Sequence, residues 1–111
     1  TPDVLDYILS LLVIRDEHTT TEGLRQLRAQ IDELDNQLMD LLSRRMRVCR
    51  EIGQYKREHN LTVLQASRYN EILEKRGAQG SLIGISPESV ARIFEEIHEE
   101  SVRQQLEIVN Q

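Results

Sequence analysis

Several residue types are scarce in this chain of 111 residues, and each scarcity excludes a class of protein. Trp is absent, Phe occurs once and aromatic residues make up 4% of the sequence. The single cysteine, Cys49, excludes an intrachain disulfide, and we interpret it as a small core residue. The three histidines, His18, His59 and His98, lack the spacing of a metal-binding motif, so we expect no metal site.

Long apolar runs and an excess of basic charge are missing as well. The longest apolar run, Leu11 to Ile14, is far too short to span a bilayer, and no signal peptide is visible. We therefore expect a cytoplasmic protein that does not enter membranes. The formal net charge of −5 argues against nucleic-acid binding, because phosphate contacts need a basic surface.

Helix-forming residues are what the sequence has in abundance. Leu, Ile, Glu, Gln and Arg dominate, no strand signal is present, and we predict an all-α fold. Ser86 can cap a helix that has Pro87 at its first position. The predicted helices cover about residues 1–14, 22–58, 64–76 and 87–109, and Gly77 and Gly80 are expected to end the third.

The second predicted helix carries a long apolar seam. Its apolar residues alternate at steps of three and four, as in a coiled coil: Leu24, Leu27, Ile31, Leu34, Leu38, Leu41, Val48, Ile52 and Tyr55. At about 1.5 Å per residue the helix would be roughly 55 Å long. Nothing else in the chain could cover the whole seam, so we predict that it packs against a second copy of itself.

Polar residues interrupt the apolar stripes of two helices. Arg45 occupies a seam position, and Lys56 lies about three turns later on nearly the same face. Ser101 and Gln105 continue the stripe of the last helix, one turn apart. These residues either surround a polar cavity or, alternatively, the two cations extend to solvent and the last helix frays.

A third polar group lies on the shorter helix, where Gln65, Arg68 and Tyr69 share a face with Ile72. This face is either solvated or contributes to the same cavity. Such a cavity would hold cations, amides and hydroxyls but no evident nucleophile or acid–base pair. It would suit a small dianion and a reaction that needs only positioning and electrostatic stabilisation.

The ordered set of these residues resembles a known family. Leu27-Arg28-x-x-Ile31-x-x-Leu34-Asp35-x-x-Leu38-x-x-Leu41-Leu42-x-x-Arg45, followed by Ile52-Gly53-x-x-Lys56, is similar to the first helix of all-helical chorismate mutases. Ile93-Phe94 through Glu100-Ser101 to Gln105 is similar to their last helix. The resemblance covers about residues 22–110. It implies a three-helix fold with a very long first helix, an intertwined homodimer and no cofactor.

The resemblance also implies roles for individual residues. Arg28 and Arg45 would hold the two carboxylates of chorismate with help from Ser101. Lys56 and Gln105 would be catalytic, because they would donate hydrogen bonds to the ether oxygen of the breaking bond. Arg68 would line the site. Gln65 and Tyr69 depart from the family, which often has acidic residues there near the ring hydroxyl, so Gln65 is retained as a candidate and Tyr69 is not.

Helix geometry makes Arg28 a special case. Arg28 precedes Arg45 by seventeen residues, which is about 25 Å along one helix, and Lys56 by roughly 42 Å. Chorismate is too small to touch all three on one straight helix. If all three serve one site, Arg28 must come from the partner chain of a two-fold dimer.

The first twenty residues fall outside this resemblance. Thr1-Pro2-x-x-Leu5-x-x-Ile8-x-x-Leu11 is similar to the last helix of some 3-deoxy-arabino-heptulosonate-7-phosphate synthases. The chain also begins with Thr1 rather than Met, which suggests a fragment of a longer protein. We therefore assign residues 1–20 to the tail of a preceding synthase domain and a linker, and residues 21–111 to a mutase domain. The alternative is a dimerising helical module that regulates a fused synthase with weak or no catalysis.

Overall fold

The computed structural model describes residues 21–111 as three helices. They are α1, Thr21–Glu58; α2, Ala66–Leu82; and α3, Pro87–Val109. No strand occurs in this part of the chain, so the predicted all-α fold is confirmed. The helix and linker predicted for residues 1–20 lie outside the described residues. None of the described helices is long and apolar enough to cross a membrane.

The chain divides into two compact units between Leu41 and Leu42. In the first unit the described residues are the amino-terminal half of α1. Its predicted seam residues are between 41% and 58% exposed: Leu24, Leu27, Ile31, Leu34, Leu38 and Leu41. No described residue of the chain therefore buries this seam. Whether a second copy covers it stays a prediction.

The second unit contains the core. Met46 and Cys49 from α1, Ile72 from α2 and Val90 from α3 are its buried apolar side chains among the described residues. The burial of Cys49 agrees with its interpretation as a small core residue. Ser101 and Gln105 are also buried, which means that polar groups occupy part of the interior of this unit. Burial of that kind is stable only when the groups find hydrogen-bond partners.

The ends of α1 and α3 lie where local signals predicted them. α1 ends at Glu58, and Asn60 then adopts a left-handed backbone with φ of 54°. At the start of α3 the Ser86 hydroxyl accepts a hydrogen bond from the backbone N–H of Ser89, at 3.2 Å. Pro87 follows at the first helical position, where its missing N–H costs nothing.

The predicted end of α2 is wrong. We expected Gly77 and Gly80 to end the helix near Arg76, but it continues to Leu82. A Cβ atom on Gly80 would lie 2.6 Å from Cγ2 of Val90. Gly80 is therefore needed for the close approach of α3 rather than for a left-handed cap. The left-handed glycine is Gly84, with φ of 81°, in the loop that follows.

Candidate active site

A cavity of about 290 Å³ lies in the second unit and is lined by all three helices. Six of the seven residues predicted for the site line it: Arg45, Lys56, Gln65, Arg68, Ser101 and Gln105. The seventh, Arg28, is an exposed residue of the first unit. The polar residues of the apolar stripes therefore surround one cavity, which favours the first of the two interpretations offered for them.

Arg45 is held by a hydroxyl from α3. Its Nη1 donates to Oγ of Ser101 at 2.8 Å and lies 3.8 Å from Sγ of Cys49. The Ser101 hydroxyl in turn donates to the backbone carbonyl of Ile97 at 2.9 Å. Ser101 is only 3% exposed, so the contact is fixed within the interior. The guanidinium keeps further N–H groups that a carboxylate ligand could accept from.

Lys56 bridges the loop after α1 and the last helix. Its Nζ donates to the backbone carbonyl of Val63 at 2.7 Å and to Oε1 of Gln105 at 2.9 Å. Because an ammonium only donates, the Gln105 amide must turn its oxygen towards Lys56 and keep its NH2 group as a donor. Burial lowers the pKa of Lys56, while the neighbouring Cys49 acts in the opposite direction. Both residues thus retain N–H groups available to a ligand.

The close approach of α1 and α3 depends on a glycine next to Lys56. A Cβ atom on Gly53 would lie 3.1 Å from Cα of Gln105. Gly53 is buried and sits one turn before Lys56 on α1. The absence of its side chain lets the α3 backbone come close enough for the Lys56–Gln105 hydrogen bond. The Ile52-Gly53-x-x-Lys56 spacing therefore has a packing reason as well as a chemical one.

The partners of Arg45 and Lys56 are all electrically neutral. Among the described residues neither cation has a carboxylate within salt-bridge distance. Arg103, on the outer surface, differs because it pairs with Glu100 and Glu107. The charge of a cation with neutral partners is not compensated, so it can attract an anionic ligand. This attraction is stronger in a partly buried cavity than in water, because the dielectric constant is lower. The cavity can therefore bind a small dianion and stabilise negative charge that develops near Lys56 and Gln105.

Residues of α2 form the outer part of the cavity. Gln65 immediately precedes the helix, and its side chain makes no capping hydrogen bond. Arg68 is 59% exposed on its side chain and pairs with Glu71 at 2.9 Å. These two residues are thus both solvated and part of the cavity lining, so the two interpretations of this face are compatible. Tyr69 is not among the lining residues.

His98 is a lining residue that the sequence reasoning did not identify. Its Nε2 is buried without a hydrogen-bond partner, and its ring contacts that of Tyr69 with centroids 4.7 Å apart. Desolvation lowers the pKa of His98, and so do the positive charges of Arg45, Lys56 and Arg68. His98 is one position from Ile97 and three before Ser101, so extending the polar set back one turn would have found it.

Nothing in the described residues suggests a metal centre. They contain no group of three or more His, Cys, Asp or Glu side chains that could hold a metal ion. The cavity instead offers guanidinium, ammonium, amide, hydroxyl, thiol and imidazole groups. The cations and amides among them can position and stabilise an anion.

Comparison with known proteins decides the family. Residues 27–106 match the family described as chorismate mutase type II, which is most of the chain. The chain belongs to the type II chorismate mutase family. The predicted three-helix chorismate mutase fold is thereby confirmed, as is the prediction of an isomerase domain at the level of the family. The roles of single residues and the homodimer are still predictions.

Similar proteins in this family carry several names. The chain is 29% identical over 80 residues to the T-protein of Haemophilus influenzae, a match covering 72% of this chain and 21% of that protein. It is 34% identical over 79 residues to the bifunctional chorismate mutase/prephenate dehydratase of Aquifex aeolicus, covering 68% and 22%. It is 30% identical over 83 residues to the 4-amino-4-deoxychorismate mutase of Streptomyces pristinaespiralis, covering 75% and 64%. The chain thus spans about a fifth of the length of the T-proteins it matches.

Proposed function

We propose that this chain catalyses the rearrangement of chorismate to prephenate, a step of aromatic amino-acid biosynthesis. The observation that carries the proposal is the pair of cations, Arg45 and Lys56, that face one cavity and whose hydrogen-bond partners in residues 21–111 are all neutral. Membership of the chorismate mutase family supports it. Relatives are named for chorismate and for its 4-amino analogue, and chorismate is the substrate proposed here.

In the proposed complex Arg45 binds one carboxylate of chorismate, with Ser101 holding the guanidinium in place. Arg68 lines the outer part of the cavity, and Gln65 lies near the ring hydroxyl. The cavity confines the flexible substrate to its compact, chair-like reactive conformer. Confining the substrate in this way removes entropy that the uncatalysed reaction must lose in its transition state.

The proposed reaction is concerted. One C–O bond breaks while one C–C bond forms within the same molecule, so no proton, leaving group or covalent intermediate is exchanged with the protein. Negative charge develops on the ether oxygen, and Lys56 and Gln105 donate hydrogen bonds to it. These donors are already oriented by their mutual contact at 2.9 Å, which keeps the cost of reorganisation low.

The direct test is to incubate the purified chain with chorismate and follow both its loss and the formation of prephenate. We expect saturable turnover well above the uncatalysed rate. Binding of chorismate without conversion would contradict catalysis and would favour the alternative, a regulatory helical module.

We further propose that the chain forms a two-fold homodimer in which Arg28 of one copy completes the cavity of the other. Support comes from the exposed apolar seam of the first unit and from the need for a second cation to hold the second carboxylate. Arg28 itself is exposed and makes no ion pair within the described residues. Its guanidinium is therefore available to a ligand held by a second copy.

Mixing two inactive variants tests the shared site. Arg28→Ala and Arg45→Ala chains should each be inactive alone. In a mixed dimer one site keeps the intact Arg45 of one chain and the intact Arg28 of the other, while the second site lacks both. Random pairing makes about half the dimers mixed, so about a quarter of wild-type activity should return under two-fold symmetry. A mixture that stays inactive, although mixed dimers are shown to form, would exclude the shared site.

We also propose that residues 21–111 are the mutase domain and that residues 1–20 are the tail of a preceding synthase domain and its linker, in a cytoplasmic bifunctional protein. The support is the similarity of Thr1-Pro2-x-x-Leu5-x-x-Ile8-x-x-Leu11 to the last helix of such synthases. A chain beginning near Thr20 should remain helical and active. Loss of helicity or activity on this truncation would show that the segment belongs to the mutase domain.

A further inference from the structure

Among the residues that the structure describes, those lining the cavity include no carboxylate. Its polar side chains are three cations, two amides, a hydroxyl, a thiol and an imidazole. Glu71, which is not a lining residue, pairs with Arg68 at the exposed edge. A ligand inside the cavity therefore meets positive charge that is only partly compensated, and only at Arg68.

Gln65 is the lining residue with an uncommitted neutral side chain on the α2 side. Its backbone carbonyl accepts from the N–H of Tyr69 at 3.1 Å, but its side-chain amide has no hydrogen-bond partner among the described residues. An amide can donate to a hydroxyl or accept from it. It cannot neutralise an ammonium group, as a carboxylate would. Gln65 thus suits a neutral polar substituent of the ligand.

The names of the relatives define the relevant choice of ligand. Chorismate and 4-amino-4-deoxychorismate differ by one group, a hydroxyl in the first and an amine in the second. Aliphatic amines are protonated at neutral pH. Chorismate therefore carries two negative charges, whereas the amino compound carries two negative charges and one positive charge.

We propose that this cavity selects the hydroxylated substrate over its 4-amino analogue, and that the neutral side chain of Gln65 sets the selection. The proposal rests on the proposed mutase function. An ammonium group in the cavity would be repelled by Arg45 and Lys56, whose partners are neutral, and would find no carboxylate to offset that repulsion. The hydroxyl of chorismate meets no such penalty.

The experiment compares kcat/KM for the two compounds as a function of pH. At neutral pH we expect chorismate to be preferred by about tenfold or more. Repulsion between the ammonium group of the amino compound and one cation of the cavity is enough to produce a roughly tenfold ratio of kcat/KM. The preference should narrow as pH rises and the amine loses its proton. The ratio of the two values is the readout, because a change in protein stability affects both substrates alike.

Gln65→Glu tests the residue itself. The new carboxylate would form an ion pair with the ammonium but could only accept a hydrogen bond from the hydroxyl of chorismate, so the ratio should move towards the amino compound by about tenfold or more. Gln79→Glu is the matched control, because Gln79 lies on α2, the helix that Gln65 precedes, but outside the cavity, and accepts a hydrogen bond from Arg76 at 2.7 Å. We expect the ratio of the control to equal that of the wild type.

The outcomes separate the two proposals. Equal kcat/KM for both compounds in the wild type, or a preference that does not change with pH, would overturn the selection while leaving the mutase function intact. A Gln65→Glu ratio equal to that of the control would remove Gln65 as its determinant. Turnover of neither compound would overturn the proposed function and this inference with it.

Discussion

The two faces of α3 differ in the partners that they offer to positively charged side chains. On the outer face Arg103 pairs with Glu100 at 2.6 Å and with Glu107 at 2.8 Å, all within one helix. The hydrogen bonds from Arg103 and Gln104 lower the pKa of Glu100 to about 2. On the cavity face Ser101 and Gln105 are uncharged and accept hydrogen bonds from cations of α1.

On the outer face the charged side chains form ion pairs with each other. On the cavity face the cations have neutral partners, so their charge can act on a ligand. The exposed pairs follow the ordinary i, i+3 and i, i+4 spacing of helix surfaces and contribute little to stability. Arg45 and Lys56 are held instead by a hydroxyl, an amide and a backbone carbonyl, which fix their positions without cancelling their charge. Positional control without neutralisation is what electrostatic catalysis requires.

Gln105→Glu would place a carboxylate beside Lys56, as Glu100 and Glu107 lie beside Arg103 on the outer face. We expect this change to lower activity strongly. A carboxylate beside Lys56 accepts but does not donate, so one hydrogen bond to the ether oxygen is lost. We expect kcat to fall by about 10²–10³ at neutral pH. Activity should recover in acid as the new carboxyl group gains a proton and can donate again.

The control for this change is Gln104→Glu on the neighbouring position. Gln104 bonds to Arg50 and Glu100 rather than to Lys56 and does not line the cavity. Its variant should retain a pH profile like that of the wild type, which should be flat around neutral pH. A Gln105→Glu profile with the same shape would exclude the assigned role of Gln105.

The pH dependence of kcat/KM in the wild type should reflect the lowered pKa of the partly buried Lys56. The protonated ammonium is a stronger hydrogen-bond donor than the neutral amine and carries the positive charge that stabilises the ether oxygen, and burial places its pKa below the ordinary value of 10.5. Because the folded pKa is lowered, kcat/KM should fall, by about tenfold per pH unit, as pH rises through that lowered value. Lys56→Arg, whose guanidinium stays charged, should lack this alkaline fall even if its activity is reduced. An equal fall in both proteins would assign it to another group.

A smaller effect is expected from the packing of α2 against α3. Gly80→Ala should destabilise the fold by about 1–3 kcal/mol, because its Cβ would overlap Cγ2 of Val90. Gly23→Ala is the matched control, since no atom lies within 4 Å of its Cβ position, and it should stabilise α1 by up to about 1 kcal/mol. Denaturant unfolding measures both. A Gly80→Ala protein as stable as the control would show that α2 and α3 can separate without cost.

Local sequence signals predicted the ends of α1 and α3, because the Ser86-Pro87 cap and the apolar periodicity are properties of neighbouring residues. They failed at α2, because a glycine that ends a helix and a glycine that allows close packing look alike in sequence. The position of Val90 decides between them, and that position is a consequence of tertiary structure.

The residues of the candidate site could likewise be predicted from the sequence only in part. Arg45, Lys56, Ser101 and Gln105 could be predicted because each interrupts an apolar stripe, and burial of such groups needs a reason. His98 was missed because the prediction followed the stripe forward from Ile97 to Ser101 and Gln105, whereas His98 lies three positions before Ser101. Arg28 came from the family resemblance, since nothing in the periodicity of one chain marks an arginine that would act in another.

The most direct test of the account compares two arginines, Arg45 and Arg103, that differ in their partners. Each is replaced by Ala, helicity is checked, and kcat/KM for chorismate is measured. Arg45→Ala should lose about 10²-fold or more, because it removes a cation whose charge is free for the substrate. Arg103→Ala should stay within about twofold of the wild type, because its exposed guanidinium is already paired with two carboxylates. A folded Arg45→Ala protein with wild-type kcat/KM, or equal losses in both variants, would contradict the central claim.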